Sequence, residues 1–144
     1  MWLGPDPDRA AVPVDDLSLV TDWYTDLAAG ALDRVRPVLA PDFMMRIPAR
    51  LPWGGSYYGP DGFFEFHLRR LSCLDTRLQT AHLFDAGGRI VQVGTLIGTI
   101  RPTDIPVRSS QIDIVTLRNG QITRYTTLLD APVVLAALAR ADLR

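Results

Sequence analysis

The sequence contains no lysine. Every basic residue is arginine, and Asn119, Glu65 and Cys73 are each the single example of their type. These scarcities exclude several things. One cysteine rules out an internal disulfide and a cysteine-based metal site. Two histidines, His67 and His82, stand at a spacing that resembles no ligand motif, so we expect no metal and no cofactor. A net charge of −1 without a basic cluster lacks the electrostatic footprint of a nucleic-acid binder. No apolar run approaches the length of a membrane span, so no membrane partner is expected. The opening MWLGPDPDRAAVPVDD is acidic and proline-rich, unlike a secretion signal. We read residues 1–14 as a flexible arm, residues 15–144 as one domain, and the protein as cytoplasmic. Lysine and asparagine codons are AT-rich, so the bias points to a GC-rich, bacterial genome; it implies no activity.

What is present is ordinary for a globular chain. Apolar residues make up 47% and charged residues 22% of 144, enough for one core without staples. Asp15 or Asp16 can cap a first helix running to residue 29, with Leu17, Val20, Tyr24, Leu27 and Ala28 on one face and Gly30 ending it. A second helix over 32–39 contains Pro37 and is expected to be short or distorted. Residues 43–47 read as a strand. The stretch PARLPWGGSYYG is too rich in glycine and proline for regular structure. Gly59-Pro60-Asp61 starts a third helix with Phe64, His67, Leu68 and Leu71 on one stripe. Strands are expected near 76–84, 89–100, 107–117 and 121–129. Asn119-Gly120 between the last two is a strong hairpin signal. Asp130 can cap a final helix. Helices first, then long sequential strands, predict an α+β fold: a curved, antiparallel or mixed sheet wrapped around N-terminal helices, enclosing a cavity.

Within SSQIDIVTLRNGQITRY one residue stands out. Asp113 sits in a β-branched run and shares its strand face with Gln111, Val115 and Leu117, while Ile112 and Ile114 face the other way. A buried carboxyl without a cation partner tends to keep its proton. It can then donate a hydrogen bond to an oxygen that gains charge. Two β-branched residues on the opposite face want a covering surface, which predicts a homodimer through the outer face of the sheet.

The strings DWYTDLAAGALDRVRPVLAPDF, IPARLPWGGSYYGPDGFFEF and IVTLRNGQITRYTTLLD, with the order of elements over residues 17–139, resemble the SnoaL-like polyketide cyclases. These belong to the nuclear transport factor 2-like superfamily, with the ketosteroid isomerases and scytalone dehydratases. The resemblance implies a cone-shaped α+β roll. It also places Asp113 where the isomerases hold a protonated aspartic acid, in a position that faces the pocket. Ile47 falls where they hold their general base, and Trp23 where they hold the tyrosine of the oxyanion hole. Thr127 falls near the catalytic aspartate of the SnoaL type. The fold hosts many chemistries, so these positions carry the functional argument.

The remaining candidates come from the residues themselves. Tyr24 offers a hydroxyl on the first helix. Trp53 sits in the loop expected at the cavity mouth, and Tyr58 and Tyr125 are aromatic candidates for the lining. His67 lies among Phe64 and Phe66, where a core histidine is the commoner outcome. Arg101 and Arg108 flank the loop RPTDIP, a solvated tip or a lid. We take Asp113, Tyr24 and His67 as candidate catalytic residues. Trp23, Ile47, Trp53, Tyr58, Gln111, Val115, Tyr125 and Thr127 are candidate substrate contacts. The expectation is a cofactor-free cyclase of bacterial secondary metabolism, acting on a hydrophobic, polyketide-like small molecule. It would template ring closure with Asp113 as donor, for example in a cycloaddition. The rivals are an acid–base isomerase using Tyr24, Asp113 and a histidine, and a binding protein for a hydrophobic metabolite that performs no chemistry.

Overall fold

Helix α1 (Asp16–Ala28) begins where an acidic cap is available, with Asp15 Oδ1 accepting from Ser18 N at 2.8 Å. The computed structural model describes residues 15–142, so the expected arm at 1–14 lies outside the described residues. Gly30, at φ 73°, turns the chain out of α1. The next helix, α2 (Leu32–Val35), lasts one turn and tightens into a 3-10 turn, Arg36–Val38. Pro37 has no N–H to extend it, so the helix stops short of the expected 39. Strand β1 (Leu39–Ile47) follows at once.

The stretch expected to be irregular contains strand β2 (Gly55–Tyr58), paired antiparallel with β1 from Met44↔Tyr58 to Ile47↔Gly55. Composition argued against a strand there. The open edge of β1 supplies the partner that makes one. Helix α3 (Gly59–Cys73) carries Pro60 in its first turn and leads directly into β3 (Leu74–Asp85). Its buried residues are Gly62, Phe63 and Phe66, while Leu68 is 68% exposed. The inward stripe is therefore rotated from the one expected, because the phenylalanines take the core side. Strands β4 (Arg89–Ile100), β5 (Pro106–Arg118) and β6 (Gln121–Leu129) complete the sheet, and α4 (Ala131–Asp142) closes the described chain. Asn119 (φ 51°) and Gly120 (φ 75°) make the two-residue turn between Arg118 and Gln121. Both residues need a left-handed backbone there, as the sequence pair promised.

The strand order is β2-β1-β6-β5-β4-β3, with β1 parallel to β6 and every other neighbour antiparallel. This is the expected α+β architecture, a curved mixed sheet around N-terminal helices. Alternation sets the inner face. Ile90, Gln92, Gly94 and Leu96 are buried on β4, and Val107, Ser109, Asp113 and Val115 on β5. Gly94 and Gly98 let β4 bend against β3. A Cβ at Gly94 would strike the Gln79 carbonyl and the Gln92 side chain, and one at Gly98 would strike the Asp75 carbonyl. The register between β3 and β4 slips between Thr80 and His82, next to Gly94. Trp23 and Phe63, from α1 and α3, are each 1% exposed and lie in the core.

Candidate functional site

Asp113 lies in the middle of β5, opposite Gln92 on β4 and Thr127 on β6. Its carboxyl has no exposed surface. Five side chains donate to it. Tyr24 Oη and Tyr125 Oη reach Oδ2 at 2.7 and 2.8 Å, and Gln92 Nε2 reaches the same oxygen at 3.2 Å. Thr127 Oγ1 reaches Oδ1 at 2.8 Å, and Gln111 Nε2 reaches it at 3.1 Å. The hydroxyls of Tyr24 and Tyr125 are themselves 3.1 Å apart. Tyr24 and Gln111 are half-buried and the other members are buried. Tyr24 and Gln111 are therefore the members of the cluster that keep some exposed surface.

Burial pushes the Asp113 carboxyl above the usual carboxylate range, while the bonds from Tyr24, Thr127, Tyr125 and Gln111 pull it part of the way back. Burial and the neighbouring acid raise both Tyr24 and Tyr125 well above an ordinary phenol, so both stay protonated. With the proton on Asp113, a chain of donors is possible. Oδ2–H donates to Tyr125, Tyr125 to Tyr24, and Tyr24 to whatever lies beyond it. The 3.1 Å contact between the two phenols supplies the middle link.

The other expected residues divide by position. Trp23 packs on Tyr24 and Tyr125 with ring centroids 5.3 and 5.6 Å away, but its Nε1–H is taken by the Val35 carbonyl at 3.2 Å. It is a wall of the cluster with no free donor. Val115 is wholly buried two residues along the same face as Asp113. Ile47 is buried at the end of β1 and brings no polar atom. Trp53 is 2% exposed, set inside the core instead of at an open mouth, and its carbonyl accepts from Tyr57 Oη at 2.7 Å. Tyr58 is 68% exposed, on the face of β2 opposite buried Tyr57. It lines a separate depression of about 350 Å³ with Ser56, Asp61, Glu65 and Arg69. His67 stacks on Phe63 (centroids 6.3 Å, 13°) and makes no hydrogen bond to the Asp113 cluster. Burial, then the Arg70 cation, holds its imidazole below the ordinary value. His82 is exposed on β3. The loop RPTDIP is tied back to the α3–β3 junction, through Arg101 N on the Cys73 carbonyl at 2.8 Å and Arg101 Nε on the Leu74 carbonyl at 3.3 Å.

Sequence reasoning missed Gln92 and Arg70. Gln92 is the polar residue on the buried face of IVQVGTL, a signal available from alternation alone. Arg70 follows His67 by one helical turn and donates from Nη1 to Thr76 Oγ1 at 3.3 Å. Burial lowers its guanidinium, and Asp113 and Tyr125 act on it in the opposite direction. Among the described residues no three His, Cys, Asp or Glu side chains gather as a metal-ligand set, and no helix is long and apolar enough to cross a membrane.

A curved sheet with a polar cluster on its inner face, roofed by helices, defines a class of small cone-shaped proteins. The SnoaL-like domain family matches residues 20–125, and this chain belongs to that family. Solved structures agree on the fold. An NTF2-like protein of Burkholderia pseudomallei is 20% identical, with a TM-score of 0.79 over 87% of this chain and 98% of its own. A Shewanella putrefaciens protein assigned to the SnoaL-like polyketide cyclases is 15% identical, with a TM-score of 0.73 over 89% and 99%. IdmH of Streptomyces antibioticus, assigned as a polyketide cyclase, is 18% identical, with a TM-score of 0.69 over 87% and 99%. At these identities the likeness speaks for the fold alone. No curated protein matches the sequence.

Proposed function

We propose that this protein is a cofactor-free cyclase acting on a polyketide-like carbonyl compound in bacterial secondary metabolism. The observation that carries the reading is the pair of phenols, Tyr24 and Tyr125, converging on one buried carboxyl oxygen at 2.7 and 2.8 Å. Tyr24, half-buried, is the catalytic residue of the three, donating to the carbonyl oxygen as charge develops there. Asp113 and Tyr125 are positioning residues that hold its proton in line. Trp23 and Val115 shape the apolar wall, and Gln111 and Thr127 fix the Asp113 rotamer. Ile47 offers no proton acceptor where the isomerases hold their base, which disfavours the acid–base isomerase. The fitting reaction needs a template and one donor, as a cycloaddition does, because an oriented chain already gains much of its rate from proximity.

The test is turnover of a linear poly-β-keto ester, followed by chromatography and mass. Wild type is expected to speed ring closure above the uncatalysed rate, and Asp113→Leu to lose most of that gain. A folded wild type that binds the ester and leaves its rate unchanged would overturn the cyclase.

That outcome would favour the second reading, a binding protein for a hydrophobic metabolite. One observation supports it: Asp113 has no exposed surface and its acceptor sites are filled from within the chain. For either reading we propose a homodimer joined through the outer face of the sheet, where Ile112 is 38% and Leu128 is 49% exposed.

A further inference from the structure

Among the described residues three buried side-chain atoms have no hydrogen-bond partner: His67 Nδ1, Arg70 Nε and Gln92 Oε1. Such orphans are uncommon, and each costs free energy unless something outside the chain satisfies it. Two of them sit one turn apart on the inward side of α3. His67 is pressed flat against Phe63, which touches Trp23 at 5.6 Å. Arg70 lies over the Phe66 ring at 5.9 Å and spends one nitrogen on Thr76, leaving Nε–H free. Among the described residues Arg70 forms no ion pair, although it is half-buried and its Nε is wholly buried. A guanidinium in that setting is a charge awaiting a counter-ion. The nearest acid on the inner face, Asp113, is already engaged by five donors of its own.

We propose that Arg70 and His67 form an anion-recognising end of the interior site and take a carboxylate or ionised enol oxygen of the ligand. The ligand would lie along the inner face, with its acidic oxygen on Arg70 Nε and His67 Nδ1 and its carbonyl end toward Tyr24. The inference deepens the small-molecule reading and rests on it, since it names the substrate as an acid. The charges fit: Asp113 already spends its two oxygens on five donors, so a monoanionic ligand can supply the counter-charge that Arg70 lacks at Nε. A neutral His67 supplies one N–H without adding a second charge. Arg70 offers Nε–H from a planar guanidinium held by Thr76, a geometry a lysine in its place would not provide.

The probes are 2-naphthoate and its uncharged counterpart 2-naphthamide, titrated calorimetrically into the full chain. The wild type is expected to bind the carboxylate roughly tenfold more tightly than the amide, the scale of one charge-assisted hydrogen bond. Arg70→Gln is expected to bring the two affinities together, and His67→Gln to narrow the gap. Should Arg70→Gln fail to fold, Arg70→Lys reads the same ratio and is expected to lose part of the preference. Equal affinities in wild type, a preference that survives Arg70→Gln, or no binding of either probe would each overturn the anion end. Those results leave the cyclase reading to its own turnover assay. Conversely, a clear carboxylate preference with no ring closure would retain the anion end and remove the cyclase.

Discussion

Tyr24 and Tyr125 come from the first helix and the last strand, and their hydroxyls meet 3.1 Å apart on the same oxygen of Asp113. Two phenols sharing one buried carboxyl cannot both be idle caps of a saturated acceptor if the carboxyl is protonated. With the proton on the oxygen they share, one phenol accepts and the other is freed to donate elsewhere.

Substitutions at Asp113 test that consequence. Asp113→Leu removes the head of the chain and is expected to raise the barrier by about 2–4 kcal/mol, the range for loss of one oxyanion-type donor. Asp113→Asn keeps an N–H donor of similar shape and is expected to retain much of the activity. Its amide meets the Gln92 or Gln111 nitrogen on one side, and half-buried Gln111 has room to turn away. Equal, near-complete loss in both folded variants would refute the neutral-donor role, because a general base is abolished alike by Asn and Leu.

Stability should depend on pH through the same residue. The folded-state value of Asp113 is raised, by burial first, above an unfolded value near ~3.9. A raised acid contributes stability that is fully present below the unfolded value and is lost as pH rises through the folded one. Asp113→Asn does not titrate. Urea unfolding at pH 4.5 and pH 8 is therefore expected to show wild type gaining on the variant at the lower pH. His67 contributes equally to both proteins and cancels. A difference of the opposite sign would mean that the donors hold Asp113 ionised.

The bend in the sheet has its own test. Gly94→Ala places a methyl against the Gln79 backbone carbonyl and the Gln92 amide. The backbone cannot move without breaking the β3–β4 pairing, so a lower Tm and a weakened Asp113 cluster are expected together. Unchanged stability would show that β4 does not need the close approach.

Phe63 touches Trp23, Phe43, Phe64, Phe66 and His67 and is 1% exposed. Phe63→Ala is expected to cost about 3–5 kcal/mol in urea unfolding, the usual loss for emptying a buried aromatic site.

For the dimer, light scattering at micromolar concentration is expected to give twice the 15.9 kDa chain mass. Ile112→Arg on the outer face should return it to one chain. A wild-type mass of a single chain would remove the proposed interface.

Much of the fold was legible because its signals are local. Asp15 caps α1 within three residues, Pro37 shortens α2 where it stands, and Asn119-Gly120 makes its own turn. The alternation of IDIV placed Asp113 on the inner face and Ile112 on the outer one, and the chain bears this out in their burial. The strand β2 was not legible, since its glycines pair only because β1 offers an edge. The cluster around Asp113 was legible only in part. Tyr24, Gln92 and Tyr125 stand 89, 21 and 12 residues from it in sequence. Their convergence depends on register and on the bend at Gly94, which no local pattern encodes. The sequence by itself determined the helices, the long strands, the hairpin and the inward aspartate, because backbone propensity and period-two alternation act over a few residues. Only the tertiary structure decided which donors meet that aspartate, that Tyr58 turns outward, and that Arg70 turns inward with a nitrogen unpaired. Those outcomes follow from how the sheet curves over the helices, and a curved sheet brings together side chains that are distant along the chain.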